Sequence, residues 1–217
     1  MPYAVIGDVV DSRRFVDGGD LVAGMAAILT DLEDRVPALS PLALIVRDEF
    51  HGLFAHAHEA VEATLRLRLA VGDLILPTLA REDEPVDVRV GIGHGTAEVA
   101  EGGTPLGSAW WHAREARAAA EELPSRSRWP PSLRSVCRSD VAAVQGALSA
   151  YLLCQDQLLA RMDLRDRRAL VGLLDGERQV DIAASLGVTQ PAIARRMKDR
   201  GALAIARALA ELAHLPP

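Results

Sequence analysis

Apolar positions along the first 124 residues change period several times. Residues 4–10 are a short apolar run interrupted by Gly7 and Asp8, which predicts a strand with an acid near its end. Between residues 20 and 36, Leu21, Met25, Ile28, Leu29 and Leu32 recur at helical spacing. Residues 42–46 and 52–54 read as paired strands, with Arg47-Asp48-Glu49-Phe50-His51 as the charged turn between them. Residues 57–75 predict a second helix. Residues 86–92 and 96–100 predict two more strands, with Gly91, Gly93 and Gly95 along the way, and a helix follows over 108–122. The order β-α-β-β-α-β-β-α predicts an α/β (α+β) sandwich on an antiparallel sheet, related to the ferredoxin-like arrangement.

The last third reads as helix throughout. Val141, Val144, Leu148, Tyr151, Leu152, Leu158, Leu159 and Met162 keep helical spacing behind Ser139, an expected N-cap. Shorter helices follow, punctuated by Gly176, Gly187 and Gly201. Between the two regions, residues 124–138 hold three prolines, four serines, four arginines and no acid. Proline removes backbone donors and turns its predecessor away from helix, so this stretch predicts a connector. The expected organisation is a first domain over 1–124, a basic linker over 125–138 and a helical domain over 139–217.

Charge follows the same division. Residues 1–124 carry 10 Arg against 21 Asp and Glu, whereas residues 125–217 carry 14 basic against 9 acidic residues. The net charge of −6 conceals a basic C-terminal part suited to nucleic acid. With 49% hydrophobic and 25% charged residues the composition is that of a globular protein, which excludes disorder over the whole length. No uncharged apolar run approaches the roughly 20 residues of a membrane span. The first residues lack the basic start of a signal peptide, and Cys137 and Cys154 supply neither a disulfide framework nor zinc spacing. The expectation is a reduced, cytoplasmic protein with no membrane partner.

Candidate chemistry in the first part rests on acids. Asp8, with Asp11 nearby, and the hairpin pair Asp48 and Glu49 are placed to converge if the first strand lies beside the hairpin. Converging carboxylates repel one another unless a divalent cation joins them, and magnesium binds through a few carboxylates plus substrate phosphates. The alternative is that Asp11 and Ser12 cap a turn while the hairpin acids face water. His51, His56 and His58 lie close in sequence without the spacing of a zinc site. The three glycines do not form a dinucleotide fingerprint, and P-loop and hydrolase motifs do not occur.

Four stretches, taken in order, resemble the SatD family of bacterial proteins: Gly7-Asp8-Val9-Val10-Asp11-Ser12-Arg13, Asp48-Glu49-Phe50-His51-Gly52, Arg89-Val90-Gly91-Ile92-Gly93 and Gly107-Ser108-Ala109-Trp110-Trp111. The same order resembles nucleotidyl-cyclase and GGDEF palm domains. That resemblance implies Mg2+ or Mn2+ held by Asp8 with Asp48 or Glu49, and by the Val9 carbonyl. It also implies a nucleotide at Asp11, Ser12, Arg13, Arg47 and Arg114. Two positions depart from the pattern. Arg47 stands where GGDEF has its second glycine, and Trp110 falls where cyclases place the Asn that orients the transition state. Indole has one donor and no acceptor, so catalysis by the cyclase route is not expected, whereas nucleotide binding is.

A second pattern lies at residues 178–200. Ile182, Ala183 and Leu186 make one apolar face, and Ala183 is small enough for two helices to cross closely. Gly187 suits a reversal at positive φ, Val188 fills the corner, Thr189 is an expected N-cap and Pro191 fits the first turn of the next helix. Ile193 and Met197 point inward, leaving Gln190, Ala192, Arg195, Arg196 and Lys198 outside. The stretch resembles the helix-turn-helix of sigma-factor-like and MarR-type bacterial regulators, whose second helix enters the major groove. Thr189, Gln190, Arg195, Arg196 and Lys198 are the expected contacts to double-stranded DNA. Palindromic sites imply a homodimer, with the long helix over 139–162 as candidate contact. The expected function is a DNA-binding regulator whose palm senses a nucleotide. The alternatives are a two-metal cyclase or polymerase with a DNA-targeting module, and a palm that serves dimerisation alone.

Overall fold

The computed structural model describes residues 1–12, 18–74, 86–99 and 105–215. Its elements are β1 (Tyr3–Val9), α1 (Gly18–Glu33), β2 (Ser40–Val46), β3 (Glu49–Phe54), α2 (Ala57–Val71), β4 (Val88–His94), β5 (Glu98–Val99), β6 (Pro105–Leu106) and α3 (Ser108–Glu122). They continue with β7 (Ser135–Ser139), α4 (Ala142–Leu159), α5 (Leu164–Leu174), α6 (Gln179–Ser185), α7 (Gln190–Asp199) and α8 (Ala202–Leu212).

Five strands form one sheet in the order β2-β3-β1-β4-β7. The first four pair antiparallel in the ferredoxin-like order, as their alternation predicts. Central β1 is buried along its whole length because both faces are covered. Tyr3, Val5 and Val9 pack with Leu21 and Met25 of α1 and Val61 and Leu65 of α2, while Ala4 and Ile6 pack with Ala109, Trp110 and Ala113 of α3. Helix α3 lies directly on β4, and glycine makes this possible. A Cβ at Gly91 would come within 2.1 Å of the Ala113 carbonyl oxygen, and one at Gly93 within 2.0 Å of that of Ala109. The glycines of that strand therefore serve close backbone approach.

Two expectations are corrected. The stretch 125–138 is not a free linker: its end enters β7, which pairs parallel to β4 and makes the sheet mixed. Leu133, Val136 and Cys137 are buried, so the prolines stop a helix ahead of an edge strand. The short strand expected at 96–100 is β5, which leaves the main sheet and pairs with β6. In addition Val141, not Ser139, occupies the N-cap of α4, while the Ser139 hydroxyl accepts from the Val141 N–H at 3.0 Å.

The hydrophobic core runs without a break from α1 and α2 into α4, α5, α7 and α8. A buried charge cluster ties the same junction. Arg68 of α2 donates to Asp87 at 3.1 Å and pairs with Asp156 of α4. Asp156 also accepts the Arg134 and Ser135 backbone N–H groups at 2.6 and 2.7 Å, anchoring the start of β7. Arg66 reaches Asp175 at 2.6 Å and the Leu174 carbonyl at 2.8 Å. These pairings fix the helical region against α2, since a buried charge left without its partner is strongly destabilising.

Candidate functional site: an arginine-filled cleft and an exposed helix

The cleft is built from the ends of strands. Asp8 lies directly opposite Glu49 on β3 and Arg89 on β4, so the three side chains start on one face of the sheet. The β2–β3 turn brings Arg47 and Asp48 alongside, and Leu21 and Val22 of α1 close the cavity of about 610 Å3. Five predicted residues line it together: Asp8, Asp11, Ser12, Arg47 and Asp48. Both Asp11, at φ 51°, and Arg47, at φ 47°, adopt the left-handed conformation that glycine enters freely. The hairpin thus keeps a glycine-like backbone at Arg47 while carrying a guanidinium there.

Other predicted residues lie elsewhere. Glu49 pairs with His51 at 2.6 Å and does not line the cavity. Arg114 is on the exposed side of α3, also outside the cleft. Arg13 falls outside the described residues. Of the two adjacent tryptophans, Trp110 is buried and Trp111 is exposed, as a 100° turn per residue requires.

The residues that decide the chemistry of the cleft are Arg89, Arg117 and Glu121. Asp8 is only 6% exposed. Its Oδ2 accepts from Arg89 at 2.9 Å and its Oδ1 from Arg117 Nε at 3.0 Å. Glu121 bridges the same arginines, each at 3.1 Å. The bond to Asp8 strengthens the hold of Arg117 on its proton. Arg117 follows Ala113 by four positions and shares its sheet-facing side of α3, a placement that spacing alone could have suggested.

A divalent cation does not fit this arrangement. Each oxygen of Asp8 already accepts from a guanidinium, and Glu49 is turned to His51. Among the described residues no three His, Cys, Asp or Glu side chains gather as a metal-ligand set. Of the expected metal group, Asp8 is paired with Arg89 and Arg117, Asp48 lines the cleft and Glu49 is paired with His51, so in this arrangement ion pairing relieves the carboxylate repulsion that a metal would otherwise relieve.

At the other end of the chain, α6 and α7 are joined by a turn at Leu186–Thr189 with Gly187 at φ 65°. The Val188 N–H donates to the Ala183 carbonyl at 3.0 Å. Ile182, Ala183, Ile193 and Met197 are all buried, matching their spacing. Thr189 occupies the N-cap position of α7, but its side chain makes no capping hydrogen bond. Thr189, Gln190, Arg195 and Lys198 are exposed. Arg196 is different: it pairs with Asp163 and Asp166 at the start of α5, so it is not on the outward face. Asp163 caps α5 by accepting the Asp166 N–H at 3.0 Å, and that bond first, with Arg196 adding, holds its carboxyl below the usual range.

No family model and no curated protein matches the chain. Among solved structures, it is similar to the active GGEEF domain of a diguanylate cyclase from Vibrio cholerae. The TM-score is 0.42 at 13% identity, covering 64% of this chain and 83% of that one. No helix among the described residues is long and apolar enough to cross a membrane.

Proposed function

We propose that this chain is a DNA-binding transcriptional regulator, with α6 and α7 as a helix-turn-helix and the palm-like sheet as a sensing unit of the SatD type. The observation that carries the reading is the outward face of α7. Among the described residues, the ion pairs of α6 and α7 are Arg178–Asp181, Arg196–Asp163 and Arg196–Asp166, which leave Arg195 and Lys198 exposed without an acidic partner. Charged side chains that support no contact of the fold are available to a partner, and Gln190 and Arg195 offer the donor geometry that reads base edges.

We assign the sensing role to Asp11, Ser12, Arg47 and Asp48, the polar lining residues of the cleft outside the Asp8–Arg89–Arg117–Glu121 pairing. A nucleotide bound there would act without a metal bridge to Asp8. It would shift DNA affinity only through unequal affinity for two arrangements of the protein. A homodimer fits this reading. Helix α4 turns Val144, Leu148, Leu152 and Leu159 inward and leaves Ala143, Gly146, Ala147 and Ala150 outside.

Fluorescence anisotropy of the full chain with duplex from its own upstream region, against an unrelated competitor, tests the assignment. Specific binding lost in Arg195→Ala with Lys198→Ala is expected. Equal binding of both duplexes would overturn a sequence-reading role. The rival enzyme reading is favoured instead if incubation with nucleoside triphosphates and Mn2+ gives a product that Asp8→Ala abolishes.

A further inference from the structure

A cavity of about 260 Å3 opens on one flank of α7, at its seam with α5. Four arginines from two helices line it: Arg165 of α5, Arg195 and Arg196 of α7, and Arg200 just beyond. Asp199 is the one acid on its wall. Arg196 is committed to Asp163 and Asp166. Arg165, Arg195 and Arg200 are exposed and take no part in the ion pairs of the described residues around them. The lining thus holds three unneutralised guanidinium groups against one carboxylate. Three like charges around one hollow repel each other.

We infer that this cavity is a phosphate site and that its occupant is a backbone phosphate of double-stranded DNA. Guanidinium forks match phosphate oxygens, and two or three around one hollow fix an anion in position as well as attract it. The source follows from place: a helix lying in the major groove has a phosphate row along its flank, and such contacts set register without reading sequence. Arg165 and Arg200 anchor the backbone in this arrangement, and Arg195 stands between anchor and groove. Arg196 is a positioning residue. Its pairs with Asp163 and Asp166 hold α7 against the start of α5, so that the arginines of two helices share one hollow. The inference rests on the DNA-binding reading and adds to it the residues that hold the backbone.

The test is a salt series of anisotropy titrations with a labelled duplex of mixed sequence, since phosphate contacts are indifferent to sequence. Each contact contributes about 0.9 to the slope of log affinity against log salt. Arg165→Ala with Arg200→Ala is expected to lower the magnitude of that slope by about 2, and to weaken every duplex alike. Arg165→Lys with Arg200→Lys should retain the slope, and the exposed Arg207→Ala on α8 should leave it unchanged. Native circular dichroism of each variant separates these effects from misfolding. An unaltered slope in the double alanine variant, with the wild type still binding, overturns the phosphate site alone. A wild type that binds no duplex at any salt overturns the DNA reading, and this site with it. Inorganic phosphate added at constant ionic strength is expected to leave Tm unchanged. A rise in Tm that the double alanine variant loses would assign the hollow to free phosphate and overturn the DNA source.

Discussion

In the cleft beside β1, Asp8 is buried and both its carboxylate oxygens accept from arginines, and Glu121 pairs with one further nitrogen of each. On α7, Arg195 and Lys198 stand exposed, and among the described residues only Arg196 is paired with acids. Both regions were picked out in the sequence by the same sign, charged residues in a suggestive order. In the first, the central charges, Asp8, Arg89, Arg117 and Glu121, answer one another inside the molecule. In the second, Arg195 and Lys198 take part in no ion pair among the described residues. A charged motif is therefore informative about ligands only after its internal pairings have been subtracted.

The largest expected effect breaks the comparison on the cleft side. Asp8→Ala removes the buried carboxylate between two arginines and leaves them Glu121 alone, and should cost about 3 kcal/mol in urea unfolding. A loss below about 1 kcal/mol would show that Asp8 is not holding the fold and is free to serve a ligand. Next comes the contrast within α7. Arg196→Ala strips buried Asp166 of its cation and is expected to cost about 1–3 kcal/mol. Arg195→Ala with Lys198→Ala should change stability by no more than about 0.5 kcal/mol. Equal costs for the two variants would erase the distinction between structural and available cations.

A third prediction concerns His94, at the opposite end of β4 from Arg89. Burial first, then the nearby N-terminal ammonium and His112, keep its imidazole below the ordinary value. A folded pKa below the unfolded one means that the unfolded chain takes up the proton first. Stability should therefore fall as pH drops below about 6.5. Urea midpoints at pH 7.5 and 5.5 measure the fall, and His94→Asn should reduce it. The smallest effect is expected at Arg47→Gly. Relief of a left-handed φ, about 1–2 kcal/mol, is offset by roughly 0.5–1 kcal/mol of glycine entropy, so the urea midpoint should rise slightly. A clear loss would mean that the Arg47 side chain holds the turn.

The local pattern of the chain was legible because it depends on neighbours in sequence. The β2–β3 hairpin forms, but its turn is Arg47-Asp48 alone, and Glu49, Phe50 and His51, expected in the turn, pair as part of β3. The helix over 108–122 has the limits expected of it, and the buried faces of α6 and α7 and the reversal at Gly187 follow from spacing and φ preference. So did the gathering of Asp8, Asp11 and Asp48 at one end of the sheet, since an antiparallel order leaves few other places for them. What spacing could not show was which charges meet. Arg117 lies 109 positions from Asp8, Arg196 lies 30 from Asp166, and Arg68 lies 88 from Asp156. The strand inside the basic stretch was hidden for the same reason. Residues 135–139 become β7 because β4 offers an edge and Asp156 accepts their backbone donors, partners that only the folded chain supplies. Electrostatic pairing acts through space and over a few ångströms, so the sequence determined where the charges sit along each element, and the tertiary structure decided which of them remain unspent.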